Sequence, residues 1–232
     1  IRDRIFVWYL KIQKKGRSIQ AIIESALTKV LKSKIKINGS GRTDTGVNAE
    51  AQCANFLYKK KIQNKFKFLS SVNHFLNKFP ISITNLEPKK SNFHARHSAK
   101  KRLYEYVISN RASKLAIDKD RAWLVKKKLE FKRIKKAIKY FKGTHDFSAF
   151  RSSSCSAKSP IRKISMISVK KKKDKIIFLI ESKSFLQKQV RSMVGCLEKL
   201  ASSQWDFEKF KKIFKLKKRK NCAAPAPAHG LY

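Results

Sequence analysis

Residues 39–52 read GSGRTDTGVNAEAQ. Gly39, Gly41 and Gly46 permit positive φ and a close approach of the backbone to a ligand. Asp44 stands two residues after Arg42, in a chain with only 15 acidic residues against 57 basic ones. One reading is a plain loop between two strands, with Asp44 as a turn or capping residue. A phosphate loop of the Walker kind is excluded, because no Gly-Lys-Ser/Thr follows. A carboxylate beside an arginine in so basic a protein is expected to be ionised, and an ionised carboxylate can act as nucleophile or base.

Outward from this loop, apolar runs lie on both sides. Ile35–Asn38 reads as a short strand entering it and Ala51–Tyr58 as a strand leaving it. Before it, Ile5–Ile12 is expected to be a strand. Ser18 is expected to cap a helix whose stripe is Ile19, Ile22, Ile23, Ala26, Leu27, Val30 and Leu31. After it, Phe66–Phe79 reads as helix, Ile81–Leu86 as extended and Arg102–Ser109 as strand, with residues 110–128 a basic connector. A second half follows: a helix over Phe131–Phe141, strands over Ile164–Lys170 and Lys175–Ser182, a strong helix over Leu186–Ala201 and a weaker one over Asp206–Leu216. The closing APAPAHGLY predicts no regular structure. Strands and helices mix in each half, so the expected class is α+β. Two similar halves with antiparallel or mixed sheets, residues 1–110 and 111–232, are expected to share a central basic cleft.

The net charge of +42 on 232 residues points to a polyanionic partner. No run of 18 apolar residues exists, so a membrane span is not expected and nucleic acid is the favoured partner. Cys53, Cys155, Cys196 and Cys222 are widely spaced, show no zinc-ligand pattern and read as reduced thiols of a cytoplasmic protein. The first residue is Ile rather than Met, as expected of a processed or truncated chain.

GRTDTGVNAEAQ resembles GRTDAGVHAxxQ, the signature of the tRNA pseudouridine synthase A family. Further stretches agree in order: NHFLNKFPISI, FHARHSAKKRLYEYVI, GTHDFSAFRSSS, FLQKQVRSMVG and the terminal HGLY. The resemblance covers nearly the whole chain and implies the pseudouridine synthase fold. It implies an isomerase that needs no cofactor or metal and converts uridines at positions 38–40 of the tRNA anticodon stem–loop to pseudouridine, acting as a homodimer. By the same resemblance Asp44 is the catalytic nucleophile, Arg191 the partner of its carboxylate and Tyr104 the residue that stacks on the target base. Arg42 and Thr43 are expected at the RNA, with Arg96, Arg102 and His145 as further RNA-binding candidates. Apart from the resemblance, Arg42 could instead form a salt bridge holding the loop, and Tyr104 and Tyr106 point to one face of a strand, so either could be packing. Asn48 stands where the family has His, and Tyr9–Leu10 where it has Gly-Trp. The alternatives are a non-catalytic basic RNA-binding protein of the same fold and a metal-dependent nuclease.

Overall fold

The helix expected after Ser18 forms. Helix α1 (Ile19–Leu31) opens with the Ser18 hydroxyl accepting from the Ala21 amide at 3.2 Å, which satisfies one otherwise orphaned donor of the first turn. The computed structural model describes residues 2–8, 18–41 and 43–232, the first group through its backbone. The chain forms two compact units, Ile1–Ala99 and Lys100–Tyr232.

The first unit is a four-stranded antiparallel sheet with two helices. Its strands are β1 (Arg2–Trp8), β2 (Ile37–Gly39), β3 (Gln52–Leu57) and β4 (Ser82–Lys89), in the order β2-β3-β1-β4. The first strand was expected over Ile5–Ile12; it begins earlier, and residues 9–17 lie outside the described residues. Helix α2 (Lys65–Leu76) is capped by Asn64. It joins α1 over a core in which Ile23, Leu27, Phe56, Val72, Leu76 and Ile83 are all buried.

Both sheet edges receive helix side chains. On α1, Glu24 accepts from the Ile37 amide at 2.9 Å and Gln20 donates to the Ile37 carbonyl at 3.1 Å. One turn further on, Thr28 accepts from Ile35 at 3.1 Å. On α2, Asn73 grips both backbone groups of Ile83 at 2.7 and 2.8 Å. These side chains satisfy edge groups that would otherwise invite pairing with another chain.

The second unit holds a five-stranded mixed sheet, β6-β5-β9-β8-β7, of β5 (Arg102–Asn110), β6 (Trp123–Val125), β7 (Gly143–Asp146), β8 (Ile161–Lys172) and β9 (Lys175–Ser182). Helices α3 (Phe131–Ile138), α4 (Gln189–Ala201) and α5 (Phe207–Leu216) complete it. The division of the chain falls at Ala99/Lys100, whereas the sequence reading placed it at 110/111. The reason is β5, which pairs antiparallel with β9 from Arg102↔Ser182 to Ser109↔Lys175 and so belongs to the later unit.

Two strands were not foreseen. Trp123–Val125, inside the expected basic connector, runs parallel to β5, and Gly143–Asp146 pairs with Ile161–Ile164. The phenylalanines of the HDFSAF stretch turn inward: Phe147 and Phe150 join Phe141, Phe210 and Phe214 in a cluster with ring centroids 5.3–5.9 Å apart. Helix α4 begins at Gln189 rather than Leu186, because Lys188 takes a left-handed φ of 62° just before it. It is buried on nearly every side, as Val190, Ser192, Met193, Val194, Cys196, Leu197 and Leu200 show.

The tail that predicted no regular structure is integral to this unit. Glu105 and Tyr232 exchange backbone hydrogen bonds of 3.1 and 2.8 Å, and Leu231 bridges Tyr106, so the chain end extends the β6 side of β5. Residues 224–226 cross α4 at Gly195, where a Cβ would lie 2.3 Å from the Ala224 carbonyl oxygen. Gly195→Ala is therefore expected to displace the tail, costing about 1–3 kcal/mol and lowering the melting midpoint by about 3–10 °C. A thermal melt of the variant beside wild type measures this directly.

Candidate active site

The loop between β2 and β3 is built by its own residues. The Ser40 amide continues the ladder to the Cys53 carbonyl at 2.8 Å, one step past β2. Asp44 then opens a tight turn in which the Val47 amide donates to the Asp44 carbonyl at 3.1 Å. Gly46 has φ +83°, the left-handed value that the third position of a type II turn requires. This explains why glycine follows Asp44 by two. Behind the turn Val47, Asn48 and Ala49 are buried and anchor the loop, leaving Thr43 and Asp44 half-buried at its crest. Gln52, the last residue of the signature, donates to the Gly41 carbonyl at 2.8 Å and closes the loop at its base. Asp44 thus sits, half-buried, on a short turn held by the Val47 amide and by the left-handed Gly46.

In the second unit, Tyr104 and Tyr106 share one face of β5, as their spacing requires, but their surroundings differ. Tyr106 is wholly buried, donates its hydroxyl to the Pro227 carbonyl at 2.7 Å and packs against Gly230, at which a Cβ would come within 2.8 Å of its ring. Burial pushes its phenol far above the ordinary range, though Arg191 nearby pulls the other way. Tyr106 is a packing residue. Tyr104 is half-buried and meets the ring of Phe185 edge-on, with centroids 4.7 Å apart. That edge contact orients the Tyr104 ring against the segment leading into α4.

Arg191 lies in the first turn of α4, half-buried. Its Nε donates to the Ala226 carbonyl at 2.7 Å, and its own carbonyl accepts from the Ala226 amide at 2.9 Å. The tail therefore holds Arg191 by backbone and side chain together. A guanidinium anchored through Nε has a set direction, which a lysine cannot reproduce.

The other expected residues are placed as follows. Arg42 lies outside the described residues. Arg96 is exposed on a turn where its amide donates to His94 Nδ1 at 3.1 Å. Arg102 donates to the Lys183 carbonyl at 2.5 Å, two residues before Phe185, so Arg102 and Tyr104 both brace the segment that leads into α4. His145 keeps other company: a ring nitrogen bonds the Lys142 carbonyl at 2.8 Å, and the ring abuts Phe147 and Phe214. Its neighbour Asp146 accepts from the Ser148 amide and pairs with Lys217. Burial would raise the Asp146 carboxyl, but the Ser148 hydrogen bonds and Lys217 hold it below its ordinary value.

Several supporting residues escaped the sequence reading. Arg219 donates to the Ala149 and Ala223 carbonyls and to the Ser192 hydroxyl, tying the tail to α4. Asn55, buried on β3, accepts from the Ala95 amide at 2.8 Å and so locks the FHAR stretch onto the sheet. An arginine in a lysine run and an asparagine in a strand carry no distinguishing pattern. Gln52 was in plain view inside the signature. Among the described residues no group of three or more His, Cys, Asp or Glu side chains is gathered, and no helix is long and apolar enough to cross a membrane.

The sequence model of a family described as tRNA pseudouridine synthase matches residues 137–232, from within α3 to the end of the tail. A protein of Pelagibacter ubique named tRNA pseudouridine synthase A is 51% identical over 222 residues, covering 96% of this chain and 90% of that protein. One of the same name from Erythrobacter litoralis is 37% identical over 223 residues, covering 96% and 90%. A slight likeness, with TM-score 0.39 and 12% identity over 84% of this chain and 44% of the other, is to a chain in the crystal structure of a Cbf5-Nop10-Gar1 complex. The chain belongs to the tRNA pseudouridine synthase A family.

Proposed function

We propose that this protein is a tRNA pseudouridine synthase that isomerises uridine in the anticodon stem–loop, at positions 38–40, with Asp44 as nucleophile. The observation that carries this reading is the 51% identity to the Pelagibacter protein across nearly the whole chain, joined to a GRTD loop that holds Asp44 on a short turn. The reaction is internal to the nucleoside. The bond from the ribose carbon to N1 breaks, the uracil turns, C5 bonds to the same ribose carbon, the C5 proton departs and N1 takes up a proton, so the product is an isomer of the substrate.

Each proposed residue has a defined part. The Asp44 carboxylate supplies the nucleophilic oxygen. Arg191, directed by Ala226, stabilises that carboxylate in its ionised form. Tyr104, its ring oriented by Phe185, stacks on the uracil once it has left the helical stack. Thr43, Arg42, Arg96, Arg102 and His145 contact the RNA around it. The protein works as a cytoplasmic homodimer without a cofactor, as the family resemblance implies.

The test is release of tritium from tRNA labelled at uridine C5. Wild-type protein should release label stoichiometrically with pseudouridine formed; tRNA binding without release would leave a non-catalytic RNA-binding protein. The lysine excess makes a second expectation. Raising monovalent salt from about 0.05 to 0.2 M should weaken tRNA binding by roughly a thousandfold, since several phosphate contacts release counterions. A filter-binding titration at four or five salt concentrations reads the slope.

A further inference from the structure

Cys196 and Cys222 are 26 residues apart in sequence, yet their sulfur atoms lie 3.3 Å from each other. Cys196 is fully buried on α4, and Cys222 is half-buried where the 3-10 turn Arg219–Asn221 ends. The approach is fixed from two directions. One turn before Cys196 on α4, Ser192 accepts from Arg219 at 3.1 Å, and Arg219 also reaches the Ala223 carbonyl at 2.9 Å. Immediately before Cys196, Gly195 lets the Ala224 carbonyl approach too closely for any side chain. A disulfide asks the two sulfurs to close from 3.3 Å to a bonded separation of about 2.0 Å.

Cys222 also has access. It lines a cavity of about 330 Å³ together with Trp205, Lys209, Lys212, Lys220 and Asn221. The two thiols are unequal. The hydrogen bond from Cys196, with Arg219 beside it, holds the Cys222 thiol below its ordinary value, whereas burial pushes Cys196 well up. The accessible sulfur is thus the more readily ionised one, and the thiolate is the reactive form.

We propose that Cys196 and Cys222 are a reversible thiol–disulfide pair, oxidised by small hydroperoxides that enter through the lysine-lined cavity at Cys222. The Cys222 thiolate attacks the peroxide, the O–O bond breaks, and a sulfenic acid forms as the alcohol, or water from hydrogen peroxide, departs. The Cys196 sulfur then attacks the Cys222 sulfur, the S–O bond breaks and water leaves. Two thiols lose two electrons in all and the peroxide gains them. The resulting bond fastens to α4 the segment whose Ala226 orients Arg191.

The experiment treats the full chain with hydrogen peroxide, measures intact mass, and maps peptides before and after dithiothreitol. Wild type is expected to lose two hydrogens, with the linkage between Cys196 and Cys222, and to regain them on reduction. Cys196→Ala should instead add oxygen at Cys222, since the resolving thiol is gone, and Cys222→Ser should leave Cys196 unmodified. The proposal is overturned if wild type adds oxygen at Cys222 with no disulfide, if the linkage involves Cys53 or Cys155, or if Cys196→Ala and wild type give the same products.

Discussion

Asp44→Asn is expected to lower tritium release from labelled tRNA by roughly ten-thousandfold or more, the scale on which an enzyme loses its nucleophile, while tRNA binding stays within about twofold. The two halves of this expectation have separate causes. The amide is isosteric, so the Asp44–Val47 turn, which is made by backbone groups and by Gly46, is left standing. The side chain no longer offers an anionic oxygen to the ribose or the ring. Affinity hardly changes because one charge is small beside a net of +42. Release measured under single-turnover conditions, beside a binding titration at one salt concentration, separates the two. Binding that collapsed with activity would make Asp44 a folding residue and remove it from the chemistry.

Arg191→Lys is expected to cost about a hundredfold to a thousandfold in the same assay, nearly as much as Arg191→Ala, with little change in tRNA affinity. A lysine keeps the charge but has no Nε donor from which to hang the side chain on the Ala226 carbonyl, so the cation is no longer directed. A role in general phosphate attraction predicts the opposite: lysine would restore the rate almost fully. A second comparison sharpens the point. Arg191→Lys added to Asp44→Asn should cost little more than Asp44→Asn alone, because a group that serves the carboxylate has nothing left to serve. Additive losses would assign Arg191 to some other step.

How much of this was legible beforehand depends on the kind of residue. The α1 stripe was readable because its apolar spacing follows a helical period and Ser18 stands where a cap belongs; Ile22, Ile23, Ala26 and Leu27 are buried as that spacing predicts. The glycine-rich stretch was readable as a turn because residue type alone demands one there, and Gly46 takes the positive φ expected of it. Trp123–Val125 was not readable as a strand, since a three-residue parallel pairing with β5 leaves no periodicity. Nor was the organising part played by the tail, whose alanines and prolines look like a linker until Gly195, Arg191 and Tyr106 are seen to require their backbone.

By itself the sequence determined the α+β class, the turn that carries Asp44, the large basic excess and the family, because each rests on residue type and local spacing. Tertiary structure alone decided which of two tyrosines on one face of β5 is walled in, which carbonyl aims Arg191, and that two cysteines 26 residues apart have sulfurs in contact. Those outcomes depend on segments distant in the chain arriving at one place. A polar group exposed by one segment is satisfied by whichever other segment packs there, and no local pattern of side chains records that meeting.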